Sequence, residues 1–336
     1  MIRRRDILAG SACAAAGALI PVFPLAAAAE TPPTLSKTAR IVMGFPAGGS
    51  GDSIARLLAE RIKGSYAPVV LVENRVGAGG RLAMDHVKAA EADGSALVLA
   101  PASVMVIYPH VYKRLSYDPL KDFAPVSTVC TFQFGLSVGP AVPPEVRTVQ
   151  QFAQWCNANP SKASFGSPGE GTMAHFAGVV IGKAAGMNLT HVPYKGGAPL
   201  VQALMANEVS WGLLGTGDVR SFIQSGKLKA IGQLRNGRSE LWPEVPTLTE
   251  QGVPGGVDFD VWFGVVAPAK TPPAVVKLLG EKIAKITAEP AFRKRLNDLG
   301  GVAPATGNTP EAFAEVLKRE LAILPKAAQD AGLQLD

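Results

Sequence analysis

The sequence predicts an α/β fold in which two units enclose a cleft. Strand-like and helix-like segments alternate in the first half of the chain, and the same alternation starts again near Ala163. In each half, a glycine-rich loop lies between a strand and the helix that follows it. Two apolar stretches, residues 132–138 and 261–266, are candidate crossovers that carry the chain between the units and back. We therefore expect two α/β lobes joined by two crossover strands.

The first unit follows the order βαβαβ. Strands are predicted at residues 41–45, 69–72 and 96–100, with helices from Asp52 onward and at residues 81–92. Because helical connections between strands are typical of parallel sheets, we expect a parallel sheet here.

The second unit repeats this order. Its predicted strands are residues 164–166, 190–192 and 209–214, and its predicted helices are residues 172–185 and 200–206. Amphipathic helices at residues 275–286 and 310–324 are expected to pack back on the first unit. The resulting lobes are a discontinuous lobe 1, residues 30–137 with 255–336, and lobe 2, residues 138–254.

The N-terminal segment has the pattern of an export signal. Three consecutive arginines precede an apolar stretch of residues 7–25, and the small residues before Glu30 fit a cleavage site. We expect residues 1–29 to be removed and the protein to be periplasmic. A retained membrane anchor is disfavoured because the stretch contains glycine and proline. Arg4-Arg5-Asp6-Ile7-Leu8 also fits a twin-arginine signal, so the export route stays open.

The charge of the mature chain argues against a nucleic-acid partner. Without the leader, 30 of the 33 basic residues and 26 of the 27 acidic residues remain, a formal charge of +4. The basic residues are dispersed and are not interleaved with aromatic residues. Cys13 leaves with the leader, so Cys130 and Cys156 are either a disulfide or two separate buried thiols.

The first glycine-rich loop has the features of an anion-binding site. This first loop reads Phe45-Pro46-Ala47-Gly48-Gly49-Ser50-Gly51-Asp52 and lies between a predicted strand and a predicted helix. Glycine lets the backbone approach a ligand, and the helix N-terminus supplies free N–H groups and positive potential. This geometry suits a carboxylate or a phosphate. The alternative is a plain βα turn in which Ser50 or Asp52 caps the helix.

The second unit has a loop of the same construction. This second loop, Phe165-Gly166-Ser167-Pro168-Gly169-Glu170-Gly171-Thr172, again follows a short strand and opens a helix. In open α/β sheets, ligands bind beyond the carboxyl ends of the strands, so the two loops are expected to hold one small ligand from both sides. Neither loop contains lysine or arginine, so amides and hydroxyls would hold an anion.

The sequence has no recognisable catalytic, metal or cofactor motif. Its four histidines are scattered, and neither His-Glu-x-x-His nor Cys-x-x-Cys spacing is present. Ser50 lacks the second glycine of the Gly-x-Ser-x-Gly nucleophile elbow, and the glycine spacings fit no nucleotide motif. We expect no catalytic residue, metal or cofactor. His175 either reaches a ligand or is a structural histidine near the start of its helix.

Several motifs, in order along nearly the whole mature chain, carry a family resemblance. They are Phe45-Pro46-Ala47-Gly48-Gly49-x-x-Asp52, Val72-Glu73-Asn74-Arg75-x-Gly77-Ala78-Gly79-Gly80, Asp93-Gly94, Tyr117-Asp118-Pro119 with Lys121-Asp122-Phe123, Gly169-x-Gly171-Thr172 with His175, Val192-Pro193-Tyr194-Lys195-Gly196-Gly197, and Val245-Pro246-Thr247-x-x-Glu250. The sequence resembles the substrate-binding proteins of tripartite tricarboxylate transporters, also called Bug receptors. The resemblance implies a type II periplasmic-binding-protein fold, a small carboxylate ligand, no catalytic activity, and a membrane transporter or sensor protein as partner.

The resemblance also implies which residues bind the ligand. In this family, the loop after the first strand and the loop that opens the second-lobe helix grip a ligand carboxylate. The matching residues are Phe45, Pro46, Ala47, Gly48, Gly49, Ser50 and Asp52 in the first loop, and Ser167, Gly169, Gly171 and Thr172 with His175 in and after the second loop. Ala102, Ser103, Gly215 and Asp218 are further contacts by position. We expect the amides of residues 47–50 to hold the carboxylate, while Asp52 caps the helix and shapes the loop.

Two departures from the family pattern lie outside both loops. Asp93-Gly94-Ser95-Ala96 stands where many members have Asp-Gly-Tyr-Thr, and Ala206-Asn207-Glu208 stands where Gly-Gly-Gln is usual. Tyr194 and Lys195 are expected in a structural turn rather than in the cleft wall. Two other functions stay open at this point: a secreted α/β hydrolase or transferase with an unrecognised site, and an interaction module that has lost ligand binding.

Overall fold

The structure is a computed structural model that describes residues 35–234, 237–253, 261–304 and 308–336. The predicted export signal and the predicted lobe boundary at residues 254–255 lie outside these ranges. Within them, no helix has both the length and the apolar character needed to cross a membrane. The described residues form eleven strands and ten α-helices.

The strands divide between two mixed sheets. In chain order they are β1 (Ala39–Met43), β2 (Val70–Asn74), β3 (Ala96–Pro101), β4 (Phe123–Phe132), β5 (Phe134–Val138), β6 (Ser164–Ser167), β7 (Thr190–Pro193), β8 (Trp211–Gly215), β9 (Lys229–Leu234), β10 (Val261–Pro268) and β11 (Gly301–Val302). The first sheet has the order β11-β4-β10-β3-β1-β2, and the second sheet has the order β7-β6-β8-β5-β9.

Helices connect the strands and cover the sheets. In chain order they are α1 (Ser50–Ile62), α2 (Arg81–Lys88), α3 (Tyr108–Val111), α4 (Val149–Ala158), α5 (Met173–Ala184), α6 (Gly197–Met205), α7 (Thr216–Gln224), α8 (Pro273–Ala288), α9 (Pro290–Asp298) and α10 (Pro310–Ala331). A π-helical segment, Ser103–Ile107, leads into α3.

Burial explains the central elements of the first sheet. In β3, residues 97–100 are at most 1% exposed. Such a continuous apolar run suits a strand that is covered on both faces. α1 buries Ile54, Leu58 and Ile62 at a spacing of four residues, which aligns them on one face of the helix. The local apolar pattern therefore favours both elements, and burial in the hydrophobic core around the first sheet stabilises them.

The second sheet has a separate aromatic core. Phe165 of β6 stacks on Trp211 of β8 with ring centroids 5.1 Å apart, and Phe152 of α4 meets Trp211 edge to face at 5.9 Å. Thr148 caps α4 in a capping box with Gln151, which fixes where this helix begins. Cys130 in β4 and Cys156 in α4 are both buried free thiols, so they do not pair.

The prediction of a parallel first sheet is only partly right. β1 pairs in parallel with β2 and β3, as expected. β10 is antiparallel to both β3 and β4, with Phe263 opposite Pro101. This strand enters the first sheet at the end where β3 finishes, so it must run back along β3. The predicted strand at residues 132–138 is also divided, because β4 ends in the first sheet and β5 begins in the second, with Gln133 between them.

Candidate functional site

A cavity of about 420 Å³ is lined by residues from both sheets and from the helices that follow their strands. Its walls include the first loop, the ends of β3 and β4, the starts of β5 and β10, and the N-terminal turns of α5, α6 and α7. We call it the cleft cavity. Its position beyond the carboxyl ends of parallel strands is the usual ligand position in open α/β sheets.

Gly48 and Gly49, two of the three glycines of the first loop, have different conformations. Gly48 has φ +90°, a left-handed value that glycine adopts without strain. Gly49 has φ −79° and ψ 169°, which other residues also adopt. The Gly49 carbonyl accepts a hydrogen bond from the Ser53 N–H at 3.0 Å. Gly49 is therefore the N-cap, and α1 begins at Ser50 rather than at Asp52 as predicted.

Asp52 fixes the shape of the first loop. Its carboxylate is 3% exposed and accepts hydrogen bonds from the Gly48 N–H at 3.0 Å, Arg56 Nε at 2.9 Å and Asn74 Nδ2 at 2.9 Å. Burial acts to raise the pKa of Asp52, but these hydrogen bonds outweigh it and lower that pKa below its ordinary value. The prediction that Asp52 caps the helix is wrong, since α1 has no side-chain cap at its N-terminus and Asp52 acts from the third helical position.

Ser50 connects the first loop to α7. Its Oγ donates to Asp218 Oδ1 at 2.8 Å, and its N–H donates to the same oxygen at 3.3 Å. Burial raises the pKa of Asp218, while the hydrogen bonds from Ser50 oppose that shift. Both residues also line a second cavity of about 340 Å³ that includes Gly48 and Phe222. The Ser50–Asp218 pair thus belongs to the wall between the two cavities.

The protein's own carboxylates occupy two of the four amides predicted to hold the ligand. The Gly48 N–H is bonded to Asp52, and the Ser50 N–H is bonded to Asp218. Among the described residues, no acceptor bonds the N–H of Ala47 or of Gly49. The set of amides available to a ligand in the first loop is therefore smaller than predicted.

The hydroxyls of the second loop mainly hold that loop itself. Thr172 Oγ1 donates to the Gly169 carbonyl at 2.7 Å and accepts from the His175 N–H at 3.4 Å, which caps α5. Ser167 Oγ donates to the same carbonyl at 2.9 Å. Met173 and Ala174, in the first turn of α5, line the cleft cavity. The N–H groups of a first helical turn have no partner within the helix, and no acceptor among the described residues bonds these two.

Two tyrosines, Tyr108 and Tyr112, contact the second loop. Tyr108 Oη lies 2.7 Å from the Gly79 carbonyl and 3.4 Å from the Glu170 carbonyl. Tyr112 Oη donates to the Glu170 carbonyl at 3.3 Å. These contacts hold the second loop against Tyr108 and Tyr112.

His175 and His191 form a buried stack behind the second loop. Their ring centroids are 3.5 Å apart and their planes differ by 9°. His175 Nδ1 accepts from the Gly171 N–H at 3.0 Å, and His191 Nε2 lies 2.7 Å from Ser167 Oγ. Burial lowers the pKa of both imidazoles, and the neighbouring ring lowers that of His175 further. The pair is therefore neutral near pH 7 and supports the backbone of the second loop.

Comparison with known proteins identifies the family. Residues 54–328 match the family described as tripartite tricarboxylate transporter family receptor. The chain belongs to this receptor family. Its members are solute receptors, so the family is not one of enzymes.

Solved structures give the same fold as this receptor. R. palustris Rpa4515 with adipate has a TM-score of 0.83 and 26% identity over 88% of this chain and 98% of that chain. The periplasmic binding protein BugD has a TM-score of 0.82 and 30% identity over 88% of this chain and 98% of that chain. MatC from Rhodopseudomonas palustris with bound malate has a TM-score of 0.80 and 27% identity over 87% of this chain and 98% of that chain. The expected two-lobe periplasmic-binding-protein fold is thereby confirmed.

Most of the predicted ligand-binding residues of the receptor lie together on the cleft cavity. Those on its walls are Phe45, Pro46, Ala47, Gly49, Ser50, Asp52, Ala102, Ser103, Thr172, Gly215 and Asp218. Gly48 lines the second cavity, whereas Ser167, Gly169, Gly171 and His175 lie in or behind the second loop without lining the cleft cavity. Ligand binding by each of these residues stays a prediction.

Two groups of cavity residues were missed from the sequence. The first is apolar and consists of Met43, Phe132, Phe134, Met173, Val261 and Phe263. The second lies at and before the start of α6, where Lys195 lines the cavity although it was assigned to a structural turn. The prediction of crossovers at residues 132–138 and 261–266 could have revealed most of the apolar group, because crossovers between two lobes pass the base of the cleft.

Proposed function

We propose that this receptor binds a small carboxylate in the cleft cavity. The main support is a set of N–H groups on two walls of that cavity that have no acceptor among the described residues. They belong to Ala47 and Gly49 on one side and to Met173 and Ala174 on the other. Helix N-terminal N–H groups favour an anion, through both hydrogen bonds and the helix dipole. The relatives with adipate and malate support a carboxylate as the ligand class.

Ligand capture would proceed by closure of the two lobes. We assign residues 30–137 with 255–336 to lobe 1 and residues 138–254 to lobe 2, as the sequence suggests. The change of sheet at Gln133 supports a first crossover close to this boundary. Hinge motion at the crossovers would form or break the bonds from Ser50 to Asp218 and from Tyr108 to Glu170. The closed form would then be presented to a membrane transporter or a sensor protein.

The compartment and the absence of catalysis belong to the same proposal. We assign the protein to the periplasm, after removal of residues 1–29, and BugD is a similar protein described as a periplasmic binding protein. A receptor of this kind releases its ligand unchanged.

The proposal is tested by calorimetry on protein recovered from the periplasmic fraction of cells that express the full chain. The titrants are malate, adipate, citrate, glutamate and benzoate, each paired with its amide or alcohol analogue. We expect one-to-one binding of at least one carboxylate and none of its uncharged analogue. At a ligand concentration of about 100 Kd, the free energy of unfolding should rise by about 2.7 kcal/mol, visible as a higher Tm. A folded protein that binds none of these acids would contradict the proposal.

A further inference from the structure

The half-buried phenylalanines of the described residues are concentrated at the two cavities. Phe45, Phe134 and Phe263 line the cleft cavity, and Phe222 lines the second cavity. The other seven described phenylalanines are at most 7% exposed. Burying apolar surface stabilises a protein by about 25 cal/mol for each Å², and aromatic surface that stays in contact with water does not contribute this free energy. Aromatic faces at the cleft cavity are therefore suited to cover an apolar part of a ligand.

Packing holds the ring of Phe263 in place. Phe263 meets Phe132 edge to face, with centroids 4.8 Å apart and planes at 81°. A Cβ atom at Gly51 would lie 2.9 Å from Phe263 Cζ and would also collide with Met43. Glycine at position 51 thus lets α1 pack directly against this base of the cavity. Because Phe45 and Phe134 follow β1 and begin β5, rings from both sheets face the same cavity.

The charged groups of the cleft cavity match a ligand with one carboxylate. The charged side chains among its described lining residues are Asp52, Lys195 and Asp218. Asp52 is paired with Arg56, and Asp218 is hydrogen-bonded to Ser50. Lys195 is exposed and has no ion pair among the described residues. Lys195 is thus the one cation on the described cavity wall that is available to a ligand. A second ligand carboxylate would be repelled by Asp218, and no second cation of the described wall would offset that repulsion.

We propose that the cleft cavity selects an aromatic monocarboxylate, an aryl ring bearing a single carboxylate, over aliphatic di- and tricarboxylates. This inference rests on the proposed function, since it names the ligand class of the same site. The carboxylate lies on the N–H groups of Gly49 and Ala174, with Lys195 nearby, and the ring lies among Phe45, Phe134 and Phe263. A cavity of about 420 Å³ is within the ordinary range for small-molecule sites.

Calorimetry with matched acids tests this selectivity. Benzoate and 3-phenylpropanoate are the aryl probes, cyclohexanecarboxylate is the non-aromatic control of similar size, and adipate is the diacid. We expect the better aryl acid to bind at least tenfold more tightly than adipate and at least threefold more tightly than cyclohexanecarboxylate, because ring pairs contribute beyond area burial. Tighter binding of adipate or of cyclohexanecarboxylate would overturn the inference and leave the proposed function standing. No binding by any of these four acids would overturn the inference, and no binding by malate, citrate and glutamate as well would overturn the proposed function.

Two phenylalanine variants separate ring contacts from general packing. Phe134→Leu and Phe45→Leu are each expected to weaken binding of the aryl acid about 3- to 10-fold and to weaken adipate binding by a smaller factor. Phe222→Leu is the matched control, because this half-buried ring lines the second cavity. It should leave both affinities unchanged. Melting curves identify any variant that is misfolded, and unchanged aryl affinity in the folded Phe134 or Phe45 variant would overturn the inference.

Discussion

Gly49→Val tests whether the first loop binds the ligand through its backbone. Gly49 has φ −79°, and a Cβ atom built there has no atom of the described residues within 4 Å, so valine fits this part of the loop without a clash. Apolar residues are poor N-caps, and the change should cost about 1 kcal/mol of stability. Because Gly49 lines the cleft cavity, the valine side chain would fill space that the ligand carboxylate needs. Losing one charge-assisted hydrogen bond, about 1.5–3 kcal/mol, would raise Kd about 10- to 150-fold.

Gly48→Val is the matched control for this variant. Gly48 has φ +90°, so a side chain there is strained by about 1–2 kcal/mol or more. Gly48 lines the second cavity and not the cleft cavity. Calorimetry and melting curves on both variants should therefore give the larger affinity loss for Gly49→Val and the larger Tm loss for Gly48→Val. The reasoning is refuted if Gly49→Val binds the ligand as tightly as the parent protein, or if its whole affinity loss is matched by lost stability.

Three further predictions follow from the hydrogen bonds around the site. Burial lowers the folded-state pKa of both His175 and His191, so only the unfolded chain takes up these two protons as the pH falls below about 6.5. In urea unfolding, each histidine should contribute a loss of up to about 2 kcal/mol between pH 7.5 and 5, and His175→Gln should remove its own share. A loss in His175→Gln that is as steep as in the parent protein would contradict this origin. Asp52→Ala leaves the Gly48 N–H and Arg56 without their acceptor and should lower the free energy of unfolding by about 2 kcal/mol in the same assay. This figure already discounts the ion pair, because Arg56 is half exposed. A loss below about 0.5 kcal/mol would be inconsistent with a loop that Asp52 holds in shape. Ser50→Ala removes the bond from Ser50 Oγ to Asp218 and keeps the bond from the Ser50 N–H, and stopped-flow should show ligand dissociation about 3- to 10-fold faster. An unchanged rate would argue against a role in closure.

Local patterns predicted the elements whose own residues show a clear apolar pattern, either a continuous run or a helical spacing. The strand expected at residues 96–100 is β3, Ala96–Pro101, and the helix expected at residues 172–185 is α5, Met173–Ala184. β4 was not predicted because Pro125 and the polar pair Ser127 and Thr128 interrupt its apolar pattern. β4 pairs with β10, which is far away in the sequence, and the register of this pairing shifts along the strands. A local pattern carries no signal for such a pairing.

The two loops were predictable, but their hydrogen-bond partners were not. Glycine, serine and threonine between a strand and a helix are a local signal, and both loops lie where this signal puts them. The partner of Ser50 is Asp218, which is 168 residues away in sequence. The rings of Phe134 and Phe263 face the cavity only because the chain passes between the sheets at these positions. Such contacts depend on the assembled fold rather than on local propensity.

The central claim is that amides of the first loop and of the first turn of α5 hold one carboxylate in the cleft cavity. It is tested most directly by a crystal structure of the receptor with an acid that binds in calorimetry. We expect one carboxylate of the ligand in the cleft cavity, with oxygens about 2.7–3.2 Å from an amide nitrogen of Ala47 or Gly49 and from that of Met173 or Ala174. A ligand carboxylate bonded to neither pair of amides, or a ligand in the second cavity, would contradict the claim.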